Sequence, residues 1–318
     1  MQIGMIGLGR MGANLALRLM RNGHAVVAFD QDASAAGALA RDGATAGRDL
    51  ADVVSRLDAP RAVWVMLPAG EATEATIARL GELLSPGDTI IDGGNTFWRD
   101  DLRRAKALRA RGIHHVDAGT SGGILGRERG YCLMIGGETA PVERLAPIFA
   151  ALSPGGGETA PTAPQGWLHV GPNGAGHFVK MVHNGIEYAL MQAYAEGFQI
   201  LEETASEALP ADERFTLDTA AISEVWRHGS IVSSQLLDVI AGALADDTSL
   251  ADFSGVVADT GEGRWTVQVA IERGIPAMAL TTALNARFRS RRQPNYADKL
   301  ISAMRRGFGG HAEPKSKA

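Results

Sequence analysis

Short apolar runs alternate with amphipathic segments over the first 170 residues. The runs are IGMIGLG (3–9), HAVVAFD (24–30), AVWVMLP (62–68), DTIIDGG (88–94), HHVDAGT (114–120) and YCLMIGG (131–137). They are rich in β-branched residues and do not alternate with polar ones, which is typical of strands buried on both faces of a parallel sheet. The segments between them, such as ANLALRLMRNG, have helical spacing and end in glycine. The pattern predicts an α/β fold with a doubly wound, Rossmann-type sheet.

The pattern changes after a stretch rich in proline and glycine at 153–176. We expect a linker there, with Gly155 to Gly157 in it, and a last short strand around Leu168–Gly171. Helical spacing then continues almost to the C-terminus. The predicted helices cover 177–203, 216–228, 230–245, 264–273 and 276–290. We therefore predict an N-terminal α/β domain at 1–173 and an all-α domain with a C-terminal tail at 174–318.

Composition narrows the class of protein. The 318 residues are 45% hydrophobic and 21% charged, which excludes a disordered chain. A net charge of −5 makes a nucleic-acid partner unexpected. Cys132 is the only cysteine, so the chain can form no internal disulfide, and a reducing cytoplasm is the expected location. No apolar run reaches the roughly 20 residues that span a bilayer, so no membrane partner is expected.

A glycine-rich turn, GLGRMG (7–12), follows the first predicted strand and opens a helix. Gly7 permits a tight turn, Gly9 lets the backbone approach a pyrophosphate, and Gly12 lets helix and strand pack closely. The pyrophosphate would bind at the helix N-terminus, where unpaired N–H groups and the helix dipole favour an anion. This context predicts that the 1–173 domain binds a dinucleotide.

An aspartate at the end of the second predicted strand bears on the choice of dinucleotide. Asp30 lies 18 residues after Gly12, where a carboxylate can accept hydrogen bonds from the adenosine ribose and repel a 2′-phosphate. NAD is therefore the expected cofactor, with NADP possible. Asp30 could instead be a turn or helix N-cap residue, and Asp32 competes for either role. Arg10 could contact the phosphates or lie in solvent.

One predicted helix carries a polar stripe on an otherwise apolar surface. In GHFVKMVHNGIEYALMQAYAEG (176–197), the stripe consists of Lys180, His183, Asn184 and Glu187, at i, i+3, i+4 and i+7. Such a stripe could contact water, but its His and Asn content and apolar flanks favour a cleft. A lysine in a cleft can act as a general base, and Glu187, about 10 Å further along the axis, can address another substrate atom. Gly185 indicates that another element packs closely.

Five segments carry a resemblance to a known family. They are GLGRMGANL (7–15), MLPAG (66–70), IDGGN (91–95), DAGTSGG (117–123) and the 176–197 helix, with GEGRWT (261–266) and FGGH (308–311) further on. Together they resemble the decarboxylating 6-phosphogluconate dehydrogenases, in their short NAD-type form, within the β-hydroxyacid dehydrogenase superfamily. The resemblance covers most of the chain.

The resemblance implies oxidative decarboxylation of 6-phosphogluconate to ribulose 5-phosphate and CO2, with a hydride passing to NAD and no metal required. Lys180 matches the base that takes the proton of the C3 hydroxyl. Glu187 matches the acid that helps to protonate C1 of the enediol, and we expect Asn184 to join them as a catalytic residue. A place in the pentose phosphate pathway or in gluconate utilisation is also implied.

Further site positions depend on the resemblance. Residues expected to bind the substrate are Asn95, Ser121, Gly122, Gly123, His183, Tyr188, Arg287, Arg305 and His311. Residues expected to bind the cofactor are Gly7, Gly9, Arg10, Met11, Gly12, Asp30, Leu67, Pro68 and Asn95. Without the resemblance, Asn95 and Ser121 could be ordinary turn residues and His183 a core histidine. Tyr188 lies off the polar stripe, so helix geometry alone would make it a packing residue.

The loop before the Trp-Thr pair departs from the family. The long form of the family binds the phosphate there through a Lys and a Thr, and this chain has Thr260 and Glu262. A glutamate beside a phosphate dianion is unfavourable unless it points away or pairs with Arg264. Arg287 matches the family's phosphate-binding arginine, although it begins a basic run that could be a solvated face.

The polar, glycine-rich tail from Gly307 predicts disorder by composition alone, and we expect at least 314–318 to be frayed. The resemblance instead makes Arg305 and His311 part of a tail that reaches the neighbouring subunit's site. It therefore implies a homo-oligomer, at least a dimer.

Three functions remain open from the sequence. The leading hypothesis is an NAD-preferring decarboxylating dehydrogenase whose small-molecule substrate is a phosphorylated sugar acid. A related β-hydroxyacid dehydrogenase for an unphosphorylated acid, such as gluconate or 3-hydroxyisobutyrate, is the alternative that Thr260 and Glu262 motivate. A non-catalytic nucleotide sensor is a third, which the Lys180 and Glu187 pair argues against.

Overall fold

The computed structural model describes residues 1–155, 161–292 and 295–312. The chain forms two compact units, Met1–Met181 and Val182–Ala318. Two predicted segments, Gly156 to Gly157 of the linker and the tail at 314–318, lie outside the described residues. The functional boundary at 173/174 stays a prediction.

The first unit is built on a sheet of eight strands within the described residues. The strands are β1 (Gln2–Ile6), β2 (Ala25–Phe29), β3 (Thr45–Ala46), β4 (Ala62–Val65), β5 (Thr89–Asp92), β6 (His114–Ser121), β7 (Cys132–Gly137) and β8 (Trp167–Gly171). Their order is β3-β2-β1-β4-β5-β6-β7-β8. The order reverses between β1 and β4, so the carboxyl ends of the central strands face the crevice in which such folds bind ligands.

Helices cover the sheet of the first unit. They are α1 (Arg10–Arg21), α2 (Ala33–Arg41), α3 (Leu50–Ser55), α4 (Glu71–Leu83), α5 (Trp98–Arg109), α6 (Gly126–Arg129), α7 (Thr139–Arg144) and α8 (Ala146–Leu152). Alternate residues of β4 enter two separate hydrophobic clusters, Trp64 one of them and Val63 and Val65 the other. Both faces of the sheet are therefore buried, as the unalternating apolar runs predicted.

The predicted doubly wound sheet is confirmed, but one strand departs from the parallel arrangement that its apolar run indicated. β7 pairs antiparallel with β6, with Val116 opposite Gly137 and Ser121 opposite Cys132. Only ten residues separate the two strands, and a parallel crossover needs about a dozen or more. β8 pairs parallel with β7, so the last short strand is confirmed.

The second unit is helical in its described residues. The long helix α9 (Ala175–Glu202) enters it and is followed by α10 (Thr219–Arg227), α11 (Gln235–Asp246), α12 (Glu262–Glu272), α13 (Met278–Ser290) and α14 (Tyr296–Gly309). Phe198, Leu237, Ile240 and Leu300 are among the residues of its hydrophobic core. The predicted helix at 230–245 begins later than expected, because the Ser234 side chain caps α11 by accepting from Leu237 N.

The C-terminal region is more ordered than its composition predicted. α14 continues to Gly309, so the prediction of disorder from Gly307 is wrong for the first three residues of the tail. The helix starts with a capping box between Asn295 and Asp298 and buries Leu300, Ile301 and Met304. None of the described helices has the length and apolar character that crossing a membrane requires.

Candidate active site

The glycine-rich turn lies between β1 and α1, with no room for side chains at two of its glycines. Gly7 has a φ of +90°, and a Cβ at this position would lie 2.5 Å from Met66 O. A Cβ on Gly12 would lie 1.9 Å from Gly7 O. The position of a Cβ on Gly9 is open, with no atom within 4 Å. The turn therefore requires Gly7 and Gly12 for its own packing, whereas Gly9 leaves free space for a ligand.

The start of α1 fits a pyrophosphate. No side chain caps this helix at its N-cap residue, Gly9, so the first-turn N–H groups can bind an anion. Arg10 is exposed and Met11 half-buried in the same turn. This cradle agrees with the predicted dinucleotide site.

The two candidate aspartates after β2 have different roles in the structure. Asp32 is the N-cap of α2 and accepts from Ser34 N at 2.9 Å. Hydrogen bonding by the Ser34 side chain, and then by this N–H, lowers the pKa of the Asp32 carboxyl. Asp30 Oδ2 accepts from Leu8 N at 2.6 Å, and its Oδ1 accepts from Asp32 N at 2.9 Å. The N-cap role thus belongs to Asp32. Asp30 braces the glycine-rich turn, and each of its oxygens keeps a lone pair for a ribose hydroxyl.

Three loops meet the same edge of the sheet. Leu67 and Pro68 follow β4. Leu67 is close to both neighbouring turns: its Cδ2 lies 2.7 Å from the position of a Cβ on Gly7, and its carbonyl oxygen lies 2.6 Å from the position of a Cβ on Gly94. Asn95 is exposed on the turn after β5. Ser121 is the last residue of β6, and Gly122 and Gly123 follow it, both with positive φ. The structure therefore places these predicted residues at carboxyl ends of strands, where a ligand is expected.

The first turn of α9 packs directly on the sheet. A Cβ on Gly119 of β6 would lie 2.5 Å from Lys180 Cβ, and a Cβ on Gly176 would lie 2.6 Å from Asp117 O. Glycines at these contacts let helix and strand approach without intervening side chains. Lys180 is 7% exposed. Its location is thus determined by backbone packing of α9 against β6.

Two residues that hold this turn were missed by the sequence analysis. Asp117 accepts from Gly174 N at 2.7 Å and from His177 N at 3.1 Å, satisfying N–H groups at the start of α9. His177 lies three residues before Lys180 and is 2% exposed. Extending the polar stripe one turn towards the N-terminus would have included His177.

The later part of the stripe lies in the second unit. His183 Nδ1 and Asn184 Oδ1 are 2.9 Å apart, and His183 Nδ1 lies 3.8 Å from Glu187 Oε2. Asn184 Nδ2 donates to Glu262 Oε1 at 3.1 Å. A Cβ on Gly185 would lie 2.8 Å from the Thr266 side chain, so α12 is the element that packs closely at this glycine.

Tyr188 and Arg287 form a buried stack. The guanidinium carbon of Arg287 lies 3.3 Å from the centroid of the Tyr188 ring, and Nη1 donates to Ala258 O at 3.0 Å. Burial lowers the pKa of Arg287 to about 10, so it stays charged at neutral pH. Burial also raises the pKa of Tyr188, against the opposing effect of Arg287. Arg287 is therefore buried and does not belong to a solvated surface. Tyr188 packs in the interior and also presents a polar hydroxyl there.

Arg305 provides a second buried cation. It is 6% exposed, and no described side chain accepts a hydrogen bond from its guanidinium. Burial lowers its pKa, while Tyr188, Glu262 and Glu187 act electrostatically in the opposite direction. Arg287 and Arg305 together offer positive charge that none of the described residues of the second unit neutralises by a direct ion pair, so an anion can bind there.

Glu262 forms its described hydrogen bonds with neutral side chains, although its charge also acts on Arg305. It is 2% exposed, and its Oε2 accepts from Thr260 Oγ1 at 2.6 Å, in addition to the bond from Asn184. Arg264 is not its partner, because Arg264 pairs with Asp259 at 2.6 and 3.0 Å. The pairing with Arg264 that would screen Glu262 is therefore absent from the described residues.

The backbone of His311 adjoins the end of α14, where His311 N donates to Arg305 O at 3.3 Å. His311 borders a cavity of about 290 Å³ that is lined by Asp252, Phe253, Ser302, Arg306, Gly310, His311 and Ala312. Neither Tyr188 nor Arg287 lines that cavity. The structure thus brings Tyr188, Glu262, Arg287 and Arg305 together, whereas His311 borders a cavity that none of these four residues lines.

Comparison with known proteins gives these features a class. A family model for the NAD binding domain of 6-phosphogluconate dehydrogenase matches residues 2–160, and a model for the C-terminal domain of 6-phosphogluconate dehydrogenase matches 176–209 and 193–313. The fold and the cradle are thus those of an NAD-binding oxidoreductase. The chain belongs to the 6-phosphogluconate dehydrogenase family, and the resemblance carried by its motifs is confirmed.

Individual relatives support this assignment. An NAD(+)-dependent, decarboxylating 6-phosphogluconate dehydrogenase of Haloferax volcanii is 41% identical over 312 residues, 98% of each chain. The NAD(+)-dependent, decarboxylating enzyme of Bacillus subtilis is 37% identical over 91% of this chain and 61% of its own length. A solved 6-phosphogluconate dehydrogenase of Plasmodium falciparum has a TM-score of 0.76 at 27% identity, over 91% of this chain and 62% of that one.

Proposed function

We propose that the protein catalyses the oxidative decarboxylation of 6-phosphogluconate to ribulose 5-phosphate and CO2, with NAD as the oxidant. The observation that carries the substrate is the pair of buried arginines beside Tyr188, since a sugar acid with a terminal phosphate has an anion to place there. Family membership and the Haloferax volcanii relative support the reaction and the preference for NAD.

The residues of the chain divide the work. When bound at the glycine-rich turn, NAD supplies a hydride acceptor for C3 of the substrate. Lys180 takes the proton of the C3 hydroxyl as the hydride leaves, which gives a β-keto acid. The ammonium of Lys180 then polarises the C3 carbonyl, which accepts the electron pair of the C1–C2 bond as CO2 departs. Glu187 helps to deliver a proton to C1 of the resulting five-carbon enediol, which is the former C2 of the sugar acid. The product is a ketose.

The remaining site residues hold the reactants. Asn95, Ser121, Gly122, Gly123 and the stripe residues His183 and Asn184 are assigned to the carboxylate and hydroxyls of the sugar acid. Tyr188, Arg287 and Arg305 are assigned to its phosphate. The turn at 7–12, Asp30, Leu67, Pro68 and Asn95 are assigned to the cofactor.

We further propose a homo-oligomer, at least a dimer, in the cytoplasm, in the pentose phosphate pathway or in gluconate utilisation. Exposed apolar side chains on α9 support the association. They are Val179, Ile186, Leu190 and Ile200, between 38% and 70% exposed. Such a set of apolar residues on one helix is typical of an interaction surface. The resemblance gave both Arg305 and His311 to the neighbouring subunit's site. Because Arg305 is 6% exposed and interacts electrostatically with Tyr188 of its own chain, we propose that only His311 is offered to the neighbouring subunit in this oligomer.

A four-way assay tests the function. We expect turnover of 6-phosphogluconate with NAD to exceed turnover with NADP, and gluconate to be a poor substrate with either. Faster turnover of gluconate than of 6-phosphogluconate would contradict the assignment of the substrate, and no turnover of any sugar acid would leave a nucleotide-binding role. Lys180→Ala is expected to abolish hydride transfer while NAD still binds. Lys106→Ala, an exposed lysine on α5, is the matched control.

A further inference from the structure

A group of buried charges lies beneath two turns that the proposed function uses, within the unit Met1–Met181. Its members, here named the buried charge network, are Asp92, Asp101, Arg104 and His177, each no more than 3% exposed. Burying charges has a large desolvation cost, and apolar replacements of such groups are often neutral or stabilising. Stability alone therefore does not account for the network.

One end of the network holds the start of α9. His177 Nδ1 donates to Asp101 Oδ2 on α5 at 2.7 Å. Burial acts to lower the pKa of His177, but the charge and hydrogen bond of Asp101, together with the charges of Asp92 and Asp117, raise that pKa to about 9. His177 is thus a cation at neutral pH, about one helical turn before Lys180.

The other end shapes the turn that presents Asn95. Asp92 Oδ1 accepts from Gly94 N at 3.0 Å, and Asp92 Oδ2 accepts from Thr96 Oγ1 at 2.8 Å. Arg104 Nη1 donates to the same Oδ2 at 2.9 Å. These bonds attach the turn after β5 to α5.

Helix α5 connects the two ends. Asp101 and Arg104 are three residues apart on it, and Arg104 Nη1 lies 3.9 Å from Asp101 Oδ1. His115 Nε2 lies 3.7 Å from the same Oδ1. Burial lowers the pKa of His115 to about 4, so it adds no charge at neutral pH. The chain of contacts is therefore continuous from His177 to the Asn95 turn.

A metal ion is a poorer explanation of this cluster than a structural link. Ligand atoms of Asp92, Asp101 and His177 lie within 4.8 Å of one another, a spacing that a cation could bridge. The guanidinium of Arg104, however, already bonds to Asp92 and lies beside Asp101. The guanidinium of Arg104 thus supplies the positive charge that a metal ion would otherwise provide between these carboxylates.

We propose that the buried charge network is a positioning device, which joins the first turn of α9 to the Asn95 turn through α5. His177 and Asp101 are positioning residues that act through Lys180 and Asn95. The proposal rests on the proposed function, which assigns the base to Lys180 and ligand contacts to Asn95. A displacement of a catalytic group by about 1 Å can reduce a rate by about 100-fold. The benefit of a rigid link between the two turns is therefore a faster reaction, and it comes at the cost of desolvating the buried charges.

Substitutions at His177 test the link by kinetics. His177→Phe keeps a ring and removes the donor to Asp101, whereas His177→Asn keeps a donor near the position of Nδ1. We expect His177→Phe to lower kcat for 6-phosphogluconate by about 100-fold, with the KM for NAD changed by less than about twofold. His177→Asn is expected to recover most of the lost kcat.

Two further variants serve as partner and control. The double variant His177→Phe, Asp101→Asn is expected to lose no more kcat than His177→Phe alone, because both changes remove the same bond. His114→Phe is the matched control, since His114 pairs with Glu138 at 2.8 Å in a partly exposed position outside the network. Its kcat is expected to equal that of the wild type.

Hydrogen exchange gives a readout that does not depend on activity. Asp101→Asn changes one residue of α5, yet the network predicts faster amide exchange in the peptides covering 93–97 and 174–180. A local structural role would raise exchange in α5 alone.

Three results would overturn the proposal: an unchanged kcat in His177→Phe, no recovery in His177→Asn, or exchange confined to α5. If the wild type does not turn over 6-phosphogluconate, the proposed function fails. The exchange experiment then decides alone whether the network joins the two turns.

Discussion

The two places at which we propose that phosphate groups bind are built by opposite means. At the glycine-rich turn, the backbone of residues 7–12 and the start of α1 provide the donors, and the one arginine there is exposed. In the second unit, the groups are side chains. Tyr188, Arg287 and Arg305 come from α9, α13 and α14, and all three are buried.

The difference determines how each site can be recognised and how each can be damaged. A backbone site is contiguous, so local spacing reveals it, and an added carbon atom is enough to block it. A side-chain site is assembled from distant segments by tertiary packing, and it fails when a charge is removed. The two sites should therefore respond to different kinds of substitution.

The largest effect is expected for Gly12→Ala. The added Cβ would lie 1.9 Å from Gly7 O, and the contact cannot relax without moving the turn. We expect a loss of about 3 kcal/mol or more in the free energy of unfolding and no measurable NAD binding. Urea denaturation and NAD titration are the measurements.

Gly9→Ala is the matched variant within the same motif. Its Cβ meets no atom within 4 Å, and the φ of −59° suits alanine. The free energy of unfolding is expected to change by no more than about 0.5 kcal/mol. NAD affinity should fall by about tenfold or more, the effect of one lost charge-assisted hydrogen bond. Unchanged NAD affinity in Gly9→Ala would show that the open space is not the pyrophosphate site.

Features built from contiguous residues could be predicted from the sequence, whereas features assembled from distant segments could not. The turn at 7–12 and the buried strands were predictable, because neighbouring residues and simple periods define them. The antiparallel strand β7 was missed, although the short connection before it was visible. The environment of Glu262 depends on Asn184 and Thr260 from separate segments, and periodicity carries no information on such contacts. His177 was missed because its partner Asp101 lies 76 residues away.

A second prediction concerns the side-chain site. Arg287→Gln removes the charge that stacks on Tyr188 and leaves a shorter, neutral polar side chain. We expect the KM for 6-phosphogluconate to rise by about 100-fold, because truncating one partner of a buried charged pair costs about 3 kcal/mol. NAD affinity should be unaffected, since the cradle at 7–12 is built without Arg287. Steady-state kinetics and NAD titration measure the two effects.

Arg292→Gln provides the control for that prediction. Arg292 lies just beyond α13 and is exposed, so the KM for 6-phosphogluconate should stay that of the wild type. An equal rise of KM in both variants would indicate that the summed positive charge of the basic run attracts the substrate, rather than a direct contact by Arg287.

The smallest effect is expected at Glu262, and it is the sharpest test of whether the second unit binds a phosphate. Glu262→Gln keeps an acceptor for Asn184 and a polar contact with Thr260, and it removes one negative charge near Arg305. If a phosphate dianion occupies the site, the lost repulsion lowers the KM for 6-phosphogluconate by about fivefold, equivalent to about 1 kcal/mol at an intermediate dielectric. The KM for gluconate, which carries no phosphate, should not change. A parallel fall for both substrates, or none for either, would separate Glu262 from phosphate binding. Because Glu262 stands where the long form of the family has a phosphate-binding threonine, a selective gain for the phosphorylated acid would show that Glu262 lies near the bound phosphate and that this chain binds its substrate despite the repulsion.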